Sequence, residues 1–482
     1  MPAYDVIIAG TGVSGLYAAL NLDPSLRVLM LSKRESTLCN SALAQGGIAA
    51  VTDEVNDSVP FHLYDSLVAG GFRNDPLSLG VLVNQGPKDV RRLIELGVEF
   101  DQKPDGAPDL TLEGGHSRHR ILHHEDATGF EILSKLLAHV RTLPNVTILE
   151  NAALSEMKQS GDGYCAEVLV DGDFSYYTAP CAILATGGIG RVYEFTTNSA
   201  IATGDGIALA WRMGADIRNL HLVQFHPTAF ANRQTRECFL ISESVRGEGA
   251  YLLNCHGERF MHRYDERLEL APRDVVSHAI ILEQRATGSD QFFLDITHKE
   301  PSFVKRRFPM IYSNLLREGY DLTKDRVPIY PCQHYLMGGI NVDDYGRTGL
   351  PGLYALGECA HTGVHGNNRL ASNSLLEAIV FPARAAEDIN QRLKDAPRSD
   401  IPVCEFPDHT GEPIPTGIRT EVRRIMQSAY FVMPDKAELL RGYERVCDLK
   451  QMLEDGRYSV TMDYMEARAL VTIAYIILKE VI

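Results

Sequence analysis

The stretch DVIIAGTGVSGLYAALNLDPSLRVLMLSK, residues 5–33, restricts the fold more than any other part of the chain. A short run rich in Val and Ile leads into Gly10, Gly12 and Gly15, then a helix-like LYAALNL, then a second apolar run. That order describes a β-α-β unit with its turn in TGVSG. Gly10 permits the tight turn, Gly12 lets backbone N–H groups approach a pyrophosphate, and Gly15 lets the helix pack close to the strand. The helix N-terminus then presents the positive end of its dipole to phosphates. The second strand ends Ser32-Lys33 where an NAD-binding fold carries an acidic residue for the ribose, which counts against NAD.

Two further buried-strand patterns end in glycine, CAILATGG at 181–188 and GLYALGE at 352–358. The long polar stretch between them predicts one nucleotide-binding domain, residues 1–220 and 336–395, interrupted by an α+β capping domain over 221–335. Such an insertion, at the carboxyl ends of the strands, is placed to cover the ligand. The segment KDAPRSDIPVCEFPDHTGEPIPTG reads as a linker. Beyond it, helical spacing at 418–431, 435–455 and 461–480 predicts a small bundle over 415–482. The chain stops at IILKEVI without a capping pattern, and a further helix is expected beyond it.

With 482 residues, 45% of them hydrophobic, the chain can build two or three cores. Its formal charge of -16 (47 basic against 63 acidic residues) is spread along the sequence, which excludes the basic face a nucleic acid requires. Nine cysteines include no CxxC pair, so neither a disulfide framework nor a thiolate metal cluster is expected. The N-terminus runs straight into a strand pattern, and no apolar run reaches the ~18 residues of a membrane span. The expectation is a soluble, unprocessed, cytoplasmic protein.

The stretch EGGHSRHRILHHEDAT, residues 113–128, holds four histidines after a glycine pair. His119 and His123 have the i, i+4 spacing of two ligands on one helical face. No third ligand or thiolate accompanies them, so no metal is expected. Glu243 and Arg246 read as a helical ion pair contributing a few tenths of a kcal/mol. Cys359 reads as a small buried residue.

Longer motifs then carry a resemblance: NSALAQGGIAAV (40–51), TGDGIALAWRMGA (203–215), QFHPT (224–228), SESVRGEGAYL (242–252), LAPRDVVSHAI (270–280), HYLMGGI (334–340) and NRLASNSLLEA (368–378). From residue 4 to about 390 the chain resembles the flavoprotein family of fumarate reductases and succinate dehydrogenases. Within that family it is similar to the branch that oxidises L-aspartate on the route to quinolinate and NAD. The resemblance implies an α/β fold, with a Rossmann-like FAD-binding domain, the inserted cap and the helical bundle.

It also implies FAD, with Gly10, Thr11, Gly12, Val13, Ser14 and Gly15 around the pyrophosphate and Lys33 by the adenosine half. Asn40, Ser41, Ala42, Leu43, Ala44, Gln45, Gly46 and Gly47 would lie along the flavin ring and ribityl chain, Asp205 behind the dinucleotide, and Glu358 at the ribityl hydroxyls. The amides of Ser374 and Leu375, at a helix N-terminus, would face the pyrimidine edge and favour the negative charge of reduced flavin. Covalent members attach FAD through a histidine where this chain has Asn40, so the cofactor is expected to be non-covalent.

For the substrate, the resemblance puts Arg369 and His334 on one carboxylate and His226 and Ser242 on the other, an arrangement suited to the planar arginine fork. Arg273 matches the family's proton-delivering arginine. That role rests on the resemblance alone, since an arginine side chain has a pKa above ~12. Glu113, where dicarboxylate-specific relatives carry glutamine, would bind the ammonium of L-aspartate. The implied reaction removes hydride from C2 to give iminoaspartate, with oxygen (giving hydrogen peroxide) or fumarate (giving succinate) as terminal acceptor and quinolinate synthase as a partner for the product. The family's GANR stands here as Gly366-Asn367-Asn368-Arg369, a departure that catalysis should tolerate. The alternative is a soluble fumarate reductase or succinate dehydrogenase flavoprotein; a non-catalytic flavin-binding protein would have lost the arginines and histidines.

Overall fold

The structure is a computed structural model that describes residues 4–232, 235–394 and 401–482. Residues 1–3, and 395–400 of the predicted linker and domain edge, lie outside the described residues. The strand β1 (Val6–Ala9) is buried at all four positions, as a strand covered on both faces must be. Gly10 turns the chain at φ +120°, and a Cβ there would sit 2.1 Å from the Ala185 carbonyl oxygen. The helix α1 (Val13–Asn21) follows with no side chain capping its first turn. A Cβ on Gly15 would lie 2.1 Å from the Gly10 oxygen, which fixes how closely α1 packs on the strand. The chain returns as β2 (Val28–Leu31), parallel to β1.

Next come α2 (Val59–Ala69), α3 (Pro76–Glu95) and α4 (Thr128–Val140), of which α3 is capped by Asp75 accepting from the Leu77 and Ser78 amides. Between α3 and α4, Ile121–Leu122 pairs antiparallel with Ile48–Ala49. Residues 119–123 are therefore not helical, and the helical-face spacing read for His119 and His123 does not exist. The reason is local: Ile121 and Leu122 are buried in strand pairing, and strand geometry sends neighbouring side chains to opposite faces.

The chain continues through β3 (Val146–Leu149), a three-stranded antiparallel meander over Ala152–Ser160, Gly163–Val170 and Asp173–Ala179, and β4 (Cys181–Leu184). The meander is absent from the sequence reading, although Asp171-Gly172, both at positive φ, is a hairpin signal. After α5 (Asp205–Arg212), the strand β5 (Val223–Phe230) and the short α6 (Glu243–Gly247) open the inserted region. Its antiparallel sheet adds β6 (Tyr251–Leu253), β7 (Phe292–Asp295) and β8 (Val327–Leu336) in the order β5-β8-β7-β6, with α7 (Arg273–Thr287) starting between β6 and β7. This region has its own core around Phe260, Phe292, Ile280 and Ile311.

The chain then re-enters the first sheet as β9 (Leu353–Ala355), giving the parallel order β9-β4-β1-β2-β3. The long α8 (Asn373–Leu393) packs beside α1 and α3, burying Leu376, Ile379 and Phe381 with Leu16, Leu79 and Leu82. Three helices, α9 (Ile418–Ala429), α10 (Lys436–Glu454) and α11 (Met462–Val481), occupy the predicted C-terminal blocks. They share one core with the main sheet and α5, joining Ile473 and Ile477 to Leu184 and Ile207. Among the described residues, no helix is long and apolar enough to cross a membrane.

Candidate active site

One continuous cavity opens at the carboxyl ends of β1, β2 and β4, beneath the inserted region. It is lined by every residue named from the resemblance except Gly15 and Ala42. Gly15 is buried inside α1, and Ala42 packs toward the core instead of the cavity. Two helix N-termini, those of α1 and α8, open on this cavity without a side-chain cap, leaving backbone amides for anionic or electron-rich groups.

The remaining walls fit FAD. Asn40 accepts from the Ser199 amide at 2.9 Å and reaches Glu358 at 3.4 Å. Glu358 also accepts from the Leu336 amide at 3.1 Å, and burial raises its carboxyl to about 7. Such a group is suited to hydroxyls rather than to a cation. At the end of β2, Lys33 donates to Asp205 (2.9 Å) and Thr203 (2.8 Å) and pairs with Glu466 of α11 at 2.8 Å. Glu466 brings the C-terminal helices to the edge of the cavity, a contribution no motif in the sequence announces.

At the other end the cavity is rich in cations. Arg273, the first residue of α7, and Arg369 both donate to Gln224 Oε1, at 2.8 and 3.2 Å. Gln224 thus bridges two like charges through one neutral oxygen. Arg369 also stands 3.0 Å from His334 Nε2, donates to Ser374 Oγ, and lies over the Tyr335 ring at 4.0 Å. The His226 and His334 rings are 5.0 Å apart. Burial, and then the positive charge of Arg273, hold both histidines neutral, far below their ordinary value. His226 Nε2 is buried with no hydrogen-bond partner among the described residues, while Nδ1 accepts from the Thr228 amide at 3.2 Å. An orphaned donor beside two guanidiniums is a ready site for a carboxylate oxygen. Burial, with Arg273 nearby, lowers Arg369 to about 10, so it remains a cation at neutral pH. Ser242 sits at the N-cap of α6, its oxygen accepting from the Ser244 amide and its own amide donating to Gln45.

Two carboxylates complete the wall. Glu243 pairs with Arg273 at 2.6 Å and with Arg246 at 3.6 Å, all three buried. Burial opposes its ionisation, but the guanidiniums outweigh that and hold the carboxyl below its ordinary value. The helical ion pair read from the sequence is present, but it is buried, so the few tenths of a kcal/mol read for it do not apply. That magnitude belongs to solvated helix faces, whereas Glu243 is inside the site and joined to the arginine of a distant motif.

Glu113 is different. It is 5% exposed, and among the described residues its carboxylate has one hydrogen-bond partner, the Ser372 hydroxyl at 2.6 Å. Burial raises its pKa and the Glu243 charge adds to this, while the Ser372 hydrogen bond works against it. The glycine pair after it serves close packing and turning, not flexibility. A Cβ on Gly114 would fall 1.9 Å from Glu243 Oε1, and Gly115 has φ +85°.

The following histidines and arginines are framework. His116 contacts the Ala371 oxygen at 2.9 Å, and fully buried Arg120 pairs with Asp57 (2.7 Å) and Asp65 (2.5 Å) while donating to His116. Among the described residues, no group of three or more His, Cys, Asp or Glu is placed to hold a metal. Cys359 is buried with its sulfur 3.0 Å from the Leu184 oxygen. Gln224, Tyr335 and Ser372 are site residues that sequence reasoning did not single out, and Glu243 was read only as structural; each lies within a quoted motif, which was the available signal.

Fold and cavity define a dinucleotide-binding flavoprotein, and the family described as FAD binding domain matches residues 5–375. L-aspartate oxidase of Yersinia pestis is 40% identical over 98% of this chain and 92% of its own length. That of Clostridium perfringens is 46% identical over 81% of this chain and 87% of its own. The chain belongs to the L-aspartate oxidase family of FAD-binding oxidoreductases. Among solved structures, the FrdA chain of E. coli quinol fumarate reductase, determined as a point mutant, superposes with a TM-score of 0.91 at 26% identity, covering 99% of this chain and 88% of that one. A quinol-fumarate reductase with menaquinol molecules gives 0.90 at 26% identity, with 99% and 90% covered.

Proposed function

We propose that this chain oxidises L-aspartate to iminoaspartate with FAD, as the first step of de novo quinolinate and NAD biosynthesis. FAD, when bound, supplies a two-electron acceptor that passes its electrons to oxygen, giving hydrogen peroxide, or to fumarate, giving succinate. Arg369 and His334 hold one substrate carboxylate; His226 and Ser242 hold the other. Arg273, backed by Glu243, delivers the proton to carbon when fumarate is the acceptor. Glu113 receives the ammonium. The observation that carries this reading is the pairing of a dianion-binding wall with one buried carboxylate that, among the described residues, has a hydroxyl rather than a salt bridge as its partner.

Residues 1–220 with 336–395 act as the FAD-binding unit, 221–335 as the cap and 415–482 as the helical unit. Gly10 to Gly15, Lys33, Asn40 to Gly47, Asp205, Glu358, Ser374 and Leu375 are assigned to the cofactor. The setting is cytoplasmic, and the unstable imine calls for a condensing partner such as quinolinate synthase.

Purified protein reconstituted with FAD, given L-aspartate, D-aspartate or succinate in air, should form hydrogen peroxide with L-aspartate only. Succinate oxidation without a response to L-aspartate would favour the fumarate reductase reading instead. Acid precipitation should leave all the yellow colour in the supernatant, because Asn40 cannot form the covalent link; colour in the pellet would contradict non-covalent binding.

A further inference from the structure

Ser372 stands in an unusual backbone state. It is a non-glycine residue at φ +63°, ψ -1°, directly before α8. A serine in the left-handed region is uncommon and costs conformational energy. Serine before a helix normally returns a hydrogen bond to the first turn, yet this side chain makes no capping bond. Its hydroxyl turns instead to Glu113 Oε2, at 2.6 Å, between two buried residues 259 positions apart.

The surroundings hold this contact in place. The Ser372 carbonyl accepts from the Ala49 amide at 3.1 Å, and the preceding Ala371 carbonyl contacts His116, just after Glu113. Gly46 closes the space on the other side, where a Cβ would lie 2.9 Å from Glu113 Oε1 and 3.7 Å from Ser372 Oγ. One oxygen of Glu113 is thereby fixed by a donor, and the other is confined by backbone that has no side chain.

We infer that Ser372 is a specificity-positioning residue: its strained backbone aims a hydroxyl at Glu113 and fixes that carboxylate where a substrate ammonium must meet it. This inference rests on the assignment of Glu113 to the ammonium. Ser372 acts through Glu113 and has no role in hydride removal. Because the strain and the donor belong to the same residue, two substitutions separate them. Ser372→Gly removes the donor and relieves the backbone; Ser372→Ala removes the donor and keeps the strain.

The test uses FAD-loaded enzyme and compares KM and kcat for L-aspartate oxidation with those for fumarate reduction by a reduced dye. Both variants should raise the L-aspartate KM about tenfold, the scale of one hydrogen bond to a charged group, with a clearly smaller effect on fumarate. Thermal stability should separate them, Gly holding or raising Tm and Ala lowering it. In a Glu113→Gln background, Ser372→Gly should no longer change the aspartate-to-fumarate ratio. Equal losses on both substrates, a defect confined to Ser372→Ala, or an undiminished effect in the Glu113→Gln background would each overturn the inference. A wild type that oxidises L-aspartate while the Ser372 variants keep its substrate ratio would defeat this inference alone. A wild type with no L-aspartate oxidation would defeat the functional reading with it.

Discussion

Glu113 and Glu243 line one cavity and are almost equally buried, yet they sit in opposite electrostatic states. Glu243 has guanidiniums on both sides and is held ionised. Among the described residues Glu113 has a single hydrogen-bond donor, a neutral one, and it is pushed toward the protonated form, by burial first. The pairing makes Glu243 part of the arginine apparatus, which any dicarboxylate requires. Glu113, with no salt bridge among the described residues, is in the proposed reading the position for a positive group that succinate and fumarate do not have. A buried charge without a partner is unfavourable in the free protein, and its cost is removed when an ammonium arrives. On the proposed reading, substrate selection comes from what has been left unpaired.

The comparison breaks most severely if Glu243 loses its partner. Arg273→Gln should lower kcat for fumarate reduction about 10³-fold, within the range of positioned proton transfer, as measured by oxidation of a reduced dye. Stability separates the two carboxylates next. Glu243→Gln leaves two buried guanidiniums uncompensated and should cost about 3 kcal/mol, seen as a lower Tm, whereas Glu113→Gln should leave Tm unchanged or raised. Equal Tm losses would show that Glu113 has a compensating charge.

The smallest effect concerns the framework behind Glu113. His62 is fully buried against Asn373 at 2.8 Å, and burial, with His116 adding to it, lowers its pKa to about 3. The unfolded chain therefore binds this proton first as pH falls. The stability His62 contributes is present above about 6.5 and is lost progressively as pH drops toward 3. The Tm gap between wild type and His62→Gln should be widest at pH 8 and narrow by pH 5, by an amount equivalent to about 1–2 kcal/mol.

Much of the fold was legible because it rests on local rules. The glycines at 10, 12 and 15, the strands at 181 and 353 and the three terminal helices each announce themselves through spacing. The 152–179 meander was missed because burial and hydrophobicity disagree along it: the first strand alternates but buries Ser155 while leaving Leu154 only partly covered, the second is buried at seven of eight positions, and the third is mostly half-buried. At the site, sequence motifs pointed to Arg273, Arg369, His226, His334 and Glu113, all of which line the cavity. Pairing was not legible. That Glu243 meets Arg273 across 30 residues, that Gln224 bridges two arginines, and that Ser372 turns from its own helix to Glu113 are consequences of tertiary approach. The close packing at the glycine pair 114–115 was illegible for the same reason, since the contact that forbids a side chain at 114 comes from another motif.

The most direct test of the central claim is the substrate ratio of Glu113→Gln in FAD-loaded enzyme, comparing kcat/KM for L-aspartate oxidation with that for fumarate reduction. Loss of a buried ammonium partner should reduce the first about 10²-fold or more and the second far less. Equal losses on the two substrates would show that Glu113 merely supports the wall, and would contradict the account of how this site chooses an amino acid.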